Sequence, residues 1–119
     1  MTEGNIHIGV VGPCAAGKST LIAALKKRGY NVRHIAQEHS YVKDMWLRLT
    51  NPDILIYLDV SYGTSCQRRN MDWTEKEYQT EVKRLAHARE HAHFYLDTDG
   101  MEIQEVYDAV VKFLASFTT

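Results

Sequence analysis

The sequence predicts an α/β protein: a three-layer sandwich with a four-stranded parallel sheet and helices on both faces. Three observations point there. Apolar, strand-like runs alternate with helical patterns along the chain. Ile54-Leu55-Ile56-Tyr57-Leu58 is an unbroken apolar and aromatic run, which implies burial on both faces of a sheet. Ile6 to Val11 leads into a glycine-bearing segment and then a helical pattern, as a strand–loop–helix unit does.

The elements follow in order. Ile6-His7-Ile8-Gly9-Val10-Val11 reads as a buried strand, and Leu21 to Arg28 as a helix that starts near Gly17. Arg28-Gly29 ends that helix, with a cation in the last turn and then a C-cap glycine. Tyr30 to Ala36 mixes polar and apolar residues and suits an edge strand. His39 to Thr50 carries Tyr41, Val42, Met45, Trp46 and Leu49 at helical spacing, and Asn51-Pro52 stops it. Asp53 to Val60 is the cleanest strand. Ser61 caps a short helix through Arg69. Trp73-Thr74 opens the longest helix, with Thr74 and Glu77 as a capping box and Tyr78, Val82, Leu85 and Ala92 near one face. His93 to Asp97 is a short last strand, and Asp99-Gly100 is a turn. Met101 to Phe117 closes the chain, with Ile103, Val106, Tyr107, Val110, Val111 and Leu114 as a core stripe.

Bulk properties narrow the function classes. The 119 residues make one domain, 1–119, able to bury about 65% of its unfolded surface. A net charge of −1 leaves no electrostatic footprint for nucleic acid or an anionic membrane. Cys14 and Cys66 form neither a disulfide framework nor a zinc ribbon. No leader and no apolar run of membrane-spanning length is visible, so the expected location is cytoplasmic.

One segment carries chemistry. Gly12-Pro13-Cys14-Ala15-Ala16-Gly17-Lys18-Ser19, followed by Thr20, spells GxxxxGK[ST], the phosphate-binding P-loop. Gly12 and Gly17 can turn amide N–H groups toward one point. The helix beginning there adds its positive end. Lys18 supplies a compact cation for the β- and γ-phosphates, and the Ser19 hydroxyl is a magnesium ligand. Cys14 lies inside the loop, where converging amides favour a lowered thiol pKa; its simpler role is that of a small residue that fits.

These residues resemble the small-molecule and nucleotide kinase-like branch of the P-loop NTPases. Gly12 to Ser19 with Arg28-Gly29-Tyr30 is similar to the start of ribosylnicotinamide kinase-like proteins. In these the second strand ends in an acidic residue, here Gln37-Glu38. Pro52 to Val60, then Cys66-Gln67-Arg68-Arg69, is similar to the stretch of thymidylate kinase-like enzymes that leads into the lid. Phe94 to Asp99 is similar to their final strand, after which the turn often contacts the nucleotide base. The resemblance implies ATP and Mg2+ as ligands, and Arg68 and Arg69 as cations for the transferring phosphoryl group.

The departure from that branch is as informative. A separate strand with a Walker B-type aspartate usually precedes the PDxxIYLD-like strand, and here only Ser40 to Asn51 fills the gap. The substrate insertion and a long lid are missing as well. With that strand gone, the second strand takes its place beside the first, giving the order 2-1-3-4 with right-handed crossovers. Glu38 then ends at the carboxyl edge where ligands bind, and substitutes for the absent aspartate as a magnesium-water ligand or base. Asp59, at the end of an apolar run, is its competitor for the metal.

Two functions remain open. One is an ATP-dependent phosphotransferase or ATPase, with Lys18, Glu38, Arg68 and Arg69 catalytic and Ser19, Glu38 or Asp59 at the metal. A homodimer in which a neighbour supplies a lid is compatible with it. The other is a nucleotide-binding regulatory or assembly module with weak turnover. His87 and His91 have zinc-compatible spacing, but no cysteine is near and Ala stands at position 88, so they read as surface histidines. His34 and His39 flank Glu38 and are placed to line the cleft.

Overall fold

The computed structural model describes residues 6–69 and 73–118. Strands β1 (His7–Val11), β2 (Asn31–His34), β3 (Ile54–Asp59) and β4 (Phe94–Asp97) form one parallel sheet in the order β2-β1-β3-β4. This is the expected strand order. Helices α1 (Lys18–Lys27), α2 (Met45–Leu49), α3 (Tyr62–Arg69), α4 (Glu75–His91) and α5 (Ile103–Thr118) connect and follow the strands.

The period-two alternation of the strands sorts the core into two layers. Ile8, Val10, Ile54, Ile56 and Leu58 face α1 and α5, meeting Leu21, Leu25, Val110 and Leu114. Val11, Leu55 and Tyr57 face the other way, against Trp46, Leu85 and Ala88. Both clusters are buried, and each aliphatic side chain contributes about 1.5–3 kcal/mol on burial. Ile54 to Leu58 is fully buried, as its unbroken apolar run requires.

Local signals set several boundaries. Gly29 has φ 101. Its N–H donates to Lys26 O at 3.0 Å, and the Tyr30 N–H donates to Leu25 O at 3.1 Å. That pair is a Schellman closure of α1. Thr74 Oγ1 accepts from Glu77 N at 3.1 Å while the Thr74 N–H donates to Glu77 Oε1 at 2.9 Å, the capping box that starts α4.

The helix expected over His39 to Thr50 is not formed as such. A 3₁₀ turn spans Gln37–His39, and only Met45–Leu49 is α-helical. The cause is the buried Gln37 amide. Its Nε2 donates to Val42 O at 2.8 Å and its Oε1 accepts from Trp46 N at 2.8 Å. Val42 and Trp46 are i and i+4, so the amide stands between the two groups that a helical turn would have joined. Ile103 also departs from expectation: it is 69% exposed rather than core. Among the described residues no helix is long and apolar enough to cross a membrane.

Candidate functional site

The loop from Gly12 to Ser19 leaves the end of β1 and enters α1. Gly12 has φ 154, and a Cβ there would lie 2.0 Å from the Leu58 carbonyl oxygen of the neighbouring strand. Only glycine fits so close to β3. Ala15 (φ 71) and Gly17 (φ 92) also take left-handed backbone angles, a cost that Ala15 bears without glycine's freedom.

Lys18 opens α1 and is buried. Its Nζ donates to Gly12 O, to Pro13 O at 3.2 Å and to Glu38 Oε2 at 2.8 Å. The ammonium thus lies back against its own loop. Glu38 comes from the 3₁₀ turn that follows β2, and β2 pairs with β1, so the strand order brings it to the loop. It is 2% exposed. Beyond Lys18, Oε2 lies 3.6 Å from His34 Nε2 and 3.8 Å from His39 Nε2. Oε1 is buried with no hydrogen-bond partner among the described residues.

These groups open on one cavity of about 620 Å³. Cys14, Ala15, Ala16, Gly17, Lys18, Ser19 and Thr20 form its floor, and Glu38, His34 and His39 one wall. The rest of the lining is largely apolar: Leu21 and Ala24 from α1, with Met101, Ile103, Val106 and Tyr107 around the start of α5. Ile103, exposed to solvent, is explained by this position.

The cavity does not gather every residue singled out in the sequence. Asp59 is not among its lining residues. Its Oδ1 accepts from Val60 N at 2.9 Å and its Oδ2 accepts the Tyr95 hydroxyl. Arg68 does line the cavity, but its guanidinium is occupied: NH1 donates to Thr98 Oγ1 at 2.8 Å and to Ala15 O at 3.2 Å, and NH2 donates to Thr98 O. The Arg69 side chain lies outside the described residues. In the turn after β4, Thr98 is buried and its hydroxyl donates to Asp59 O at 2.7 Å, while Asp99 Oδ1 accepts from Ser61 N. That turn ties β4 to β3 and α3; neither Thr98 nor Asp99 lines the cavity.

Sequence reasoning missed Glu81. It lies in α4 on the same stripe as Tyr78 and Leu85, and a carboxylate on a buried stripe is the signal that marks it. It is buried, its Oε1 accepts from Cys14 N at 3.0 Å, and its Oε2 accepts the Cys14 thiol at 3.1 Å. Burial, then the hydrogen bond and charge of Glu81, push the Cys14 thiol up to about 11, with Lys18 opposing. The expected lowering by loop amides is therefore reversed: a carboxylate takes the Cys14 N–H, and the thiol stays protonated. The remaining histidine pair is used structurally. His87 Nδ1 accepts from Trp46 Nε1 at 3.1 Å, and His91 Nδ1 meets His87 O at 2.8 Å.

Comparison with known proteins finds no protein-family profile that matches this chain and no curated protein that matches it.

Proposed function

We propose that this chain binds a nucleoside triphosphate, ATP foremost, with Mg2+, through Gly12 to Thr20 acting as a P-loop of the kinase-like P-loop NTPases. The observation that carries the reading is the convergence on one cavity of a loop bent through three left-handed residues, a buried lysine, an accessible Ser19 hydroxyl and a buried carboxylate. Loop amides and the start of α1 are suited to phosphate oxygens. The apolar wall from Leu21 to Tyr107 offers a surface for an aromatic base, and a volume of about 620 Å³ is within the range of small-ligand pockets.

Magnesium fits the residues present. Ser19 and Glu38 are hard oxygen donors, and Glu38 Oε1 is a buried acceptor with no hydrogen-bond partner among the described residues. Ser19 would hold the ion directly and Glu38 would hold it or a water on it. When bound, the ion neutralises phosphate charge. The chain's own residues do the remainder: Lys18 swings from Glu38 and the loop carbonyls to the phosphates, and its departure frees Glu38 Oε2. Asp59, held by Tyr95 and Val60, is the weaker choice for the metal.

A binding module with little turnover is the second reading, and Arg68 favours it. Phosphoryl transfer needs a cation at the developing charge, and among the described residues Arg68 is the one arginine lining the cavity, with its guanidinium already committed to Thr98 and Ala15. Calorimetry with ATP, with and without Mg2+, tests the binding. Lys18→Ala is expected to lose it, and Glu38→Gln to lose its magnesium dependence while Asp59→Asn keeps it. Absence of ATP binding by the wild-type chain overturns the proposal. Turnover that vanishes in Lys18→Ala establishes the enzyme; tight binding without turnover establishes the module.

A further inference from the structure

Beside the phosphate-facing part of the loop lies a second cluster of different chemistry. A thiol from Cys14, an imidazole nitrogen from His39 and a carboxylate oxygen from Glu81 all lie within 4.8 Å of one another. They form the one such group of three His, Cys, Asp or Glu ligands among the described residues. Each comes from a different element: the loop after β1, the 3₁₀ turn after β2, and the middle of α4. No local spacing announces them, because only the fold brings them together.

We propose that Cys14, His39 and Glu81 bind a thiophilic divalent ion, Zn2+ foremost, with the fourth position open to the cavity. The donor set decides the metal. A thiolate, an imidazole and a carboxylate suit Zn2+ and exclude Mg2+, which requires oxygen donors. The geometry is close to what the ion needs. Ligand atoms about 2.0–2.3 Å from a tetrahedral zinc stand about 3.3–3.8 Å apart. Cys14 Sγ and Glu81 Oε2 are already 3.1 Å apart. His39 has most of the adjustment to make, and its side chain is 61% exposed and so has room to move.

The burial pattern fixes the direction of approach. Glu81 is 7% exposed and does not line the cavity, whereas Cys14 and His39 do. Glu81 therefore closes the back of the site. Its Oε1 is anchored on the Cys14 N–H, which leaves Oε2 for the ion. On binding, the thiol proton now donated to Oε2 leaves to solvent and the sulfur lone pair bonds the ion. Three protein ligands and an open side resemble a zinc site that takes water or a ligand oxygen rather than a closed structural site. This inference does not depend on nucleotide binding.

Cobalt substitution without nucleotide tests it. The whole chain titrated with Co2+ is expected to develop a thiolate-to-cobalt absorption band and tetrahedral ligand-field bands at one equivalent, with Zn2+ displacing the ion and Mg2+ failing to. The thiolate band is lost in Cys14→Ser and kept in Cys66→Ser. His39→Ala and Glu81→Gln weaken the affinity on the order of 10–100-fold or more, since even residues behind a ligand have effects of that size. His39 is exposed, so its variant keeps the test valid should Glu81→Gln fail to fold. No band at saturating Co2+, a band that follows Cys66, or an affinity unchanged in His39→Ala overturns the site.

Discussion

Lys18 Nζ and Glu38 Oε2 are 2.8 Å apart, and both side chains are almost wholly buried. Lys18 and Glu38 lie in the segments that follow the adjacent strands β1 and β2, so the β2–β1 pairing brings the ion pair together. Taking one charge away leaves the other buried without a counter-charge. Glu38→Ala is expected to destabilise the chain by about 3–5 kcal/mol, read from urea denaturation. Glu38→Gln keeps a hydrogen-bond acceptor and is expected to lose less. Equal stability of wild type and Glu38→Ala would show that water already solvates the Lys18 ammonium.

Gly12 and Gly63 separate steric need from mere tolerance. A methyl group at Gly12 meets the Leu58 carbonyl at 2.0 Å, and a backbone carbonyl inside a sheet cannot step aside. Gly12→Ala is expected to cost about 3 kcal/mol or more, because β1 and β3 must part at their ends. Gly63 lies in α3 with nothing within 4 Å of its added Cβ among the described residues. Gly63→Ala is expected to stabilise the chain by about 0.5–1 kcal/mol. Thermal melts of the two variants side by side read the contrast.

The sheet order and the four strands were legible because their causes are local or topological: an apolar run, a glycine C-cap, a capping box and the lack of a strand between Ser40 and Asn51. Over residues 39–50 the helical spacing is real, but the agent that interrupts the helix is a side chain outside the segment. Gln37 cannot be seen to insert between Val42 and Trp46 until β2 has delivered it there. The position of Glu38 beside the loop, though not a role for it, was legible for the same topological reason as the strand order. Glu81 was not, since its meaning depends on Cys14, 67 residues away.

Gln37 then carries its own prediction. Its amide satisfies Val42 O, Arg84 O and Trp46 N in a buried setting. Gln37→Ala leaves the buried Trp46 N–H without its acceptor, while Val42 O still accepts from Met45 N; an unsatisfied buried donor costs about 1–3 kcal/mol. A loss of about 1–3 kcal/mol is expected, together with a changed Trp46 environment in tryptophan fluorescence. Fluorescence that follows the wild type at every temperature would assign Gln37 no role in shaping this segment.

Alkaline pH is expected to destabilise the fold through groups whose protons are held more tightly in the native state. Burial, then the hydrogen bond and charge of Asp59, push the Tyr95 phenol up to about 12 from its usual 10.0. Below pH 10 both states keep this proton, so Tyr95's contribution is fully present. Between pH 10 and 12 the unfolded chain releases the proton while the folded chain retains it, and stability falls as pH rises. Cys14, raised from 9.0 to about 11, starts the same fall one pH unit earlier, and burial of Tyr57 shifts its phenol in the same direction. Tyr95→Phe removes the hydrogen bond to Asp59 and lowers stability at pH 7 by about 0.5–1.5 kcal/mol. It also flattens the limb between pH 10 and 12 without abolishing it, because Tyr57 and Cys14 remain. Urea midpoints measured at intervals from about pH 7 to 12 follow both effects. A limb as steep in Tyr95→Phe as in the wild type would place the alkaline loss on the other raised groups, Cys14, Tyr57 and Tyr78.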